Sequence, residues 1–205
     1  MSMIETLSEQ IRSTTLLEWL AVVTALIYVG LAARNRVICF VFGAISGAIW
    51  AYVSFFRYDL YMDAFLQLFY VAMSFYGIYR WKFGGTGAEK PISRTTRREH
   101  GTVFGIGVPL SILCAELLSN YTQAAATYLD SFTTVFSLLA TWLLVERKLE
   151  NWLYWIVLDA IYVGLYASRE AYLFAVLMVL YTIIAAVAYL RWRRIGSVIR
   201  ANAEI

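Results

Sequence analysis

The chain has 205 residues, 61% of them hydrophobic and only 15% charged, with a formal net charge of +3. A soluble domain holds about 45–50% apolar and about 25% charged residues, so this composition describes an integral membrane protein. Its Lys and Arg lie in breaks between apolar stretches and form no basic face, which argues against a nucleic-acid partner.

Residues 1–14 carry Glu5 and Glu9 without a basic leader, and read as an extracytoplasmic segment and not as a cleaved signal peptide. Seven apolar stretches follow, at 15–33, 37–56, 60–80, 101–118, 124–145, 152–168 and 171–190. Each approaches the roughly 20 helical residues that cross a bilayer core. No alternating pattern of a membrane barrel occurs, so the expectation is an all-α bundle of seven transmembrane helices. The longest break, 81–100, holds Gly84, Gly85, Gly87 and Pro91 and reads as a cytoplasmic loop; 191–205 reads as a cytoplasmic tail. Counting Lys and Arg by side gives 3 against 14, which places the N-terminus outside and the C-terminus in the cytoplasm. The basic loop and tail would also attract anionic lipid.

A shift of 111 residues superimposes Tyr61, Ala64, Leu66, Tyr70, Arg80 and Trp81 on Tyr172, Ala175, Leu177, Tyr181, Arg191 and Trp192 without gaps. Stretches one to three (15–80) then repeat as five to seven (124–190), and the fourth (101–118) is a linker helix. Three helices reverse the chain direction and a fourth restores it, so the two three-helix repeats run parallel, a 3+1+3 plan with a substrate site between them.

Polar residues inside the stretches mark that site, because a carboxylate at mid-bilayer is costly and turns to the bundle interior. On stretch six Asn151, Trp155, Asp159, Tyr162 and Tyr166 share one helical face around a mid-span carboxylate. Stretch five carries Asp130, Thr133, Thr134, Ser137 and Thr141, and stretch three Asp63, Gln67, Tyr70 and Ser74. Stretch two offers Gly43, Ser46, Gly47 and Trp50, small residues that permit close helix approach. Stretch seven is nearly free of polar groups and reads as packing. Ser and Thr in such helices often bond back to their own backbone. Trp19, Trp81, Trp142, Trp152 and Trp192 read as interfacial belts, and Glu18 and Glu116 as interfacial. Cys39 and Cys114 lie in apolar stretches and read as small apolar residues, while His100 is the single histidine. This leaves nothing for metal ligation or nucleophilic catalysis, so neither enzyme nor cofactor is expected.

The run Asp130-Ser131-Phe132-Thr133-Thr134, then Arg147-Lys148 and Glu150-Asn151-Trp152 followed by Trp155 and Asp159, resembles the second half of the PnuC family. Trp50, Tyr61-x-Asp63-x-x-x-Gln67 and Tyr76-Gly77-x-Tyr79-x-Trp81 fit the first half. The resemblance implies a bacterial inner-membrane transporter of nicotinamide riboside, a vitamin B3 precursor, with a fold similar to the SWEET sugar transporters. It also implies a homotrimer and facilitated diffusion, with trapping by cytoplasmic phosphorylation. On this reading Trp50, Trp155 and Tyr166 stack on the flat cationic ring. Gln67 and Asn151 hydrogen-bond the carboxamide or ribose, Asp159 offsets the charge, and Tyr70 and Thr134 complete the substrate-binding set. The residues alone describe a flat, polar, cationic small molecule. Thiamin or riboflavin carriage, and proton coupling through the intramembrane Asp residues, stay open as alternatives.

Overall fold

Apolar runs bounded by charged turns become helices because only a ladder within the segment satisfies each backbone N–H and C=O away from water. The computed structural model describes residues 3–59, 61–84, 90–121 and 127–203. Among them it places eight helices: α1 (Met3–Ser13), α2 (Leu16–Ala33), α3 (Cys39–Phe56), α4 (Tyr61–Phe83), α5 (Arg97–Tyr121), α6 (Thr127–Val145), α7 (Asn151–Ser168) and α8 (Tyr172–Ala203). Gly85 and Gly87 of the expected loop, residues 124–126 of the expected second repeat, and the side chains of Tyr61 and Arg200 lie outside the described residues.

Five helices, α2, α3, α5, α6 and α8, are long and apolar enough to cross a membrane. α4 and α7 are not among the five, and they carry Asp63, Gln67, Asn151 and Asp159. Three elements differ from expectation. The segment before residue 15 contains a helix, α1, too short to span. α5 starts inside the expected loop, at Arg97, and α8 continues through the expected tail to Ala203. α1 is tied down by Gln10, whose Nε2 donates to the Glu170 carbonyl at 2.7 Å and whose Oε1 accepts from the Leu173 amide at 2.9 Å.

α3 packs on α2 and α4, α7 packs on α6 and α8, and α5 rests on α6. The two triplets meet reciprocally, α2 against α8 and α4 against α6. Their helices start at matched positions: Leu16 and Thr127, Cys39 and Asn151, Tyr61 and Tyr172. The turns match as well. Asn35 and Arg147, and Asp59 and Glu170, are the non-glycine residues with positive φ among the described residues, between 52° and 57°. At Asn35, Arg147 and Glu170 the following amide reaches five residues back (Arg36 to Leu31 at 3.0 Å, Lys148 to Leu143 at 2.9 Å, Ala171 to Tyr166 at 2.9 Å), the Schellman ending of a helix.

Trp81, Trp152 and Trp192 correct the belt assignment, since they are 0%, 2% and 0% exposed. Trp192 lies 5.8 Å from Trp81 and 5.5 Å from Trp152, ring centre to ring centre, and Phe40 packs edge-on to Trp81 at 4.8 Å. The cross-repeat bonds are again reciprocal: Trp81 Nε1 donates to the Val145 carbonyl and Trp192 Nε1 to the Ala32 carbonyl, both at 3.1 Å. Trp81 and Trp192 can stand this deep because the single donor of each is taken by a helix-end carbonyl of the opposite repeat, whereas Trp152 Nε1 has no partner among the described residues. Trp192→Phe should keep the apolar packing and lose only the cross-repeat hydrogen bond, a cost of about 1 kcal/mol, because the Ala32 carbonyl keeps the Asn35 amide. Thermal unfolding in detergent, read by circular dichroism, checks this.

Candidate functional site

A cavity of about 470 Å³ runs between the two triplets. Its walls come from α2, α3, α4, α6, α7 and α8, with no contribution from α5 among the described residues. Glycines bring α4 inward. A Cβ on Gly47 would sit 3.0 Å from Val71 and 3.3 Å from the Gln67 carbonyl, and one on Gly43 would sit 3.0 Å from Ser74 Oγ. α3 and α4 therefore approach more closely than larger residues would allow, and this seats Gln67 on the wall.

One end of the cavity is closed and the other leads outward. Phe40, Leu144 and Trp152, each 3% exposed or less, form the floor above the Trp81–Trp192 pair. At the opposite end stand Asp63 and Asp130. Asp130 is ion-paired to Arg169 at 2.7 Å, with a side chain 33% exposed. Asp63 accepts a short hydrogen bond from Ser54. Tyr162 stacks on Tyr166 at 5.8 Å, Tyr166 meets Phe174 at 5.5 Å, and Phe174 meets Trp50 at 6.3 Å. An aromatic layer thus links α3, α7 and α8 near the open end.

The lining polar groups fall into two sets. Ser74, Thr133 and Thr141 spend their hydroxyls on their own helix backbones, as such residues commonly do. Gln67, Thr134 and Asp159 line the cavity with no hydrogen-bond partner among the described residues. Asp159 is 4% exposed, so its carboxylate is withdrawn from bulk water yet unpaired. Donors and acceptors left unspent by the protein on a cavity wall are the groups that can fix a polar ligand.

Trp50, Gln67, Tyr70, Thr134, Trp155, Asp159 and Tyr166, singled out in the sequence, all line this cavity. Asn151 does not. It is fully buried at the start of α7, where its Nδ2 donates to the Lys148 carbonyl at 2.5 Å. It has the right rotation about the helix and the wrong depth. Two lining tyrosines escaped the sequence reading, Tyr28 on α2 and Tyr181 on α8. α8 is therefore more than packing: Met178, Tyr181 and Ala185 face Gln67, Tyr70 and Ser74 as their repeat equivalents. The shift of 111 residues pairs Tyr181 with Tyr70, which was the signal available.

A family model described as nicotinamide mononucleotide transporter matches residues 15–194. The chain belongs to that family. The resemblance to PnuC holds across curated relatives too. The nicotinamide riboside transporter PnuC of Neisseria mucosa is 29% identical over 193 residues, covering 86% of this chain and 73% of the relative. The one from Escherichia coli is 24% identical over 195 residues, covering 82% and 81%. A crystal structure described as the vitamin B3 transporter PnuC superimposes with a TM-score of 0.72 at 25% identity, covering 95% of this chain and 90% of that one. This PnuC-family chain is a multi-pass membrane protein with a transporter fold, and the cavity lies where its two triplets meet.

Proposed function

We propose that this chain carries nicotinamide riboside across the bacterial inner membrane by facilitated diffusion. The observation that carries the reading is Asp159, a buried, unpaired carboxylate on the wall of a cavity lined by Trp50, Trp155 and Tyr166. A flat pyridinium ring supplies the missing cation and stacks on those faces. Gln67 and Thr134 remain to bond the carboxamide and ribose hydroxyls.

The family's description and its relatives' names differ by one phosphate, and charge decides between them here. Asp63, Asp130 and Asp159 line the cavity, and no Lys, Arg or His does among the described residues. A phosphate of charge near −2 would enter without a counter-ion. The riboside is therefore the cargo and the mononucleotide is refused. The same repulsion makes cytoplasmic phosphorylation a trap, because the product cannot re-enter the site.

The wider arrangement follows from the same reading. Seven helices span, α4 and α7 among them, because their polar residues face the cavity and not lipid. They form two parallel three-helix repeats joined by α5, a 3+1+3 plan similar to the SWEETs, supported by the reciprocal α2–α8 and α4–α6 contacts and by matched turns. The N-terminus is outside, the C-terminus is cytoplasmic, and the protein is a homotrimer surrounded by lipid.

Calorimetry on purified protein tests the cargo, with nicotinamide riboside, nicotinamide mononucleotide, thiamin and riboflavin in parallel. Riboside alone should bind. Trp155→Ala should weaken it by roughly 30-fold, the worth of a desolvated cation–π contact. Mononucleotide binding of equal strength would overturn the charge argument, and thiamin binding would change the cargo. In proteoliposomes, initial riboside flux should be indifferent to a pH gradient of either sign; a dependence would replace facilitated diffusion with proton coupling.

A further inference from the structure

A second cavity, of about 340 Å³, lies on the flank of the bundle in the seam between α2 and α8, beneath α1. Val22 and Leu26 of α2 and Leu177 and Leu180 of α8 give it apolar sides. Polar groups gather where α1 crosses it, from Gln10, Thr14, Glu18 and Tyr58. Glu18 is the one charged residue of that lining among the described residues, and it is 5% exposed. Its Oε2 accepts from the Thr15 amide and hydroxyl at 2.6 Å each, and its Oε1 accepts a short bond from Tyr58. Three of the roughly four acceptor positions of a carboxylate are thus filled. Arg57 reaches Tyr58 and its charge also acts on Glu18, but it is not part of the lining.

The helix faces around the seam are apolar. Val23 and Ile27 of α2 and Val176 and Ile183 of α8 are 38–57% exposed, and none can hydrogen-bond a protein partner. We propose that the seam binds one bilayer phospholipid with a primary-amine headgroup, of the phosphatidylethanolamine class. An acyl chain fills the apolar channel and the ammonium sits at the remaining acceptor position of Glu18. Charge complementarity selects the headgroup, because the one charge in the lining among the described residues is negative and takes an ammonium that a glycerol headgroup does not offer.

The lipid has a structural consequence for the substrate site. Trp50 lines both cavities, and Phe174, which packs against Trp50, is 37% exposed and lines the seam. One aromatic layer separates the lipid chain from the central cavity, so an occupied seam seals the side of that cavity. The proposal rests on the membrane-spanning part of the proposed function and not on the identity of the cargo.

The test uses the full chain, delipidated in detergent and offered equimolar phosphatidylethanolamine and phosphatidylglycerol, with retained lipid counted by native mass spectrometry. The ethanolamine lipid should be retained one per chain and preferred roughly fivefold, the worth of one nearby charge. Glu18→Gln preserves the hydrogen bonds of the capping box and removes the charge, so the preference should vanish. Leu177→Trp fills the channel, and retention of both lipids should fall while the circular-dichroism melting temperature holds. Equal retention of the two lipids by the unaltered chain overturns the proposal. So does retention that survives Leu177→Trp, or an intermolecular disulfide between Val22→Cys and Leu177→Cys, which would assign the seam to a second copy. Failure of riboside binding would sink the cargo reading and leave the lipid counts unaffected.

Discussion

Asp159→Asn should weaken nicotinamide riboside binding at least 30-fold while leaving the protein as stable as before, or more so. The two halves of this expectation come from the same fact. Asp159 is 4% exposed and pairs with no cation among the described residues, so in the empty protein it is a cost and in the loaded protein half of an ion pair. Removing one partner of a desolvated charge pair costs about 2–5 kcal/mol, and each 1.4 kcal/mol is tenfold in affinity. Replacing an unpaired buried charge by a neutral amide of the same shape relieves desolvation, so the melting temperature should hold or rise. Calorimetry and thermal unfolding on the same preparation separate the halves. A structural carboxylate would give the opposite pattern, lower stability with binding intact, and that pattern would remove Asp159 from the site. The mutant should also discriminate less sharply against the mononucleotide, because one of the two cavity carboxylates without an ion-pair partner among the described residues, Asp63 and Asp159, has gone.

Much of this site could be read from spacing, because a helical face is a property of rotation and the sequence encodes rotation directly. Trp155, Asp159, Tyr162 and Tyr166 arrive on one wall as their intervals require. Depth and inward bending are encoded less directly. Asn151 shares that face but lies in the first turn of α7, where a backbone carbonyl takes its amide. Trp81 and Trp192 each follow an arginine at the end of an apolar run, which is how an interfacial anchor looks. Their indoles instead cross to the opposite repeat and meet each other. The turns were less legible. Asn35 and Asp59 are residue types that tolerate positive φ, but Arg147 and Glu170 are not, and their conformation is imposed by the helix endings on either side.

Glu146→Gln should destabilise the protein by about 3 kcal/mol at neutral pH, the low end of the cost of breaking a buried pair. Glu146 follows α6, with its side chain 11% exposed. It accepts from Arg80 Nε at 2.9 Å and from Arg80 Nη2 at 2.6 Å, and it makes a short bond with Lys90. Arg147, beside it, donates to the Lys90 carbonyl and lies 4.3 Å over the Trp81 ring. Ser93 and Leu149 complete the clasp, with the Ser93 amide bonded to the Arg147 carbonyl at 3.0 Å and the Leu149 amide to the Ser93 carbonyl at 2.8 Å. This network fastens the chain after the first triplet to the α6–α7 turn of the second, beneath the tryptophan floor. Burial raises the carboxyl of Glu146, but the hydrogen bonds and charges of Arg80 and Lys90 outweigh it and hold it below the ordinary carboxylate range. A lowered folded value means stability that is fully present above the unfolded value of about 4.3 and is lost as pH falls through the folded one. Protonated Glu146 then has the shape and charge of Gln. The gap in melting temperature between the two proteins should accordingly be constant from pH 8 to about 5 and close below about 4. A gap that persists undiminished at pH 3 would mean that Glu146 acts through packing and not through its charge.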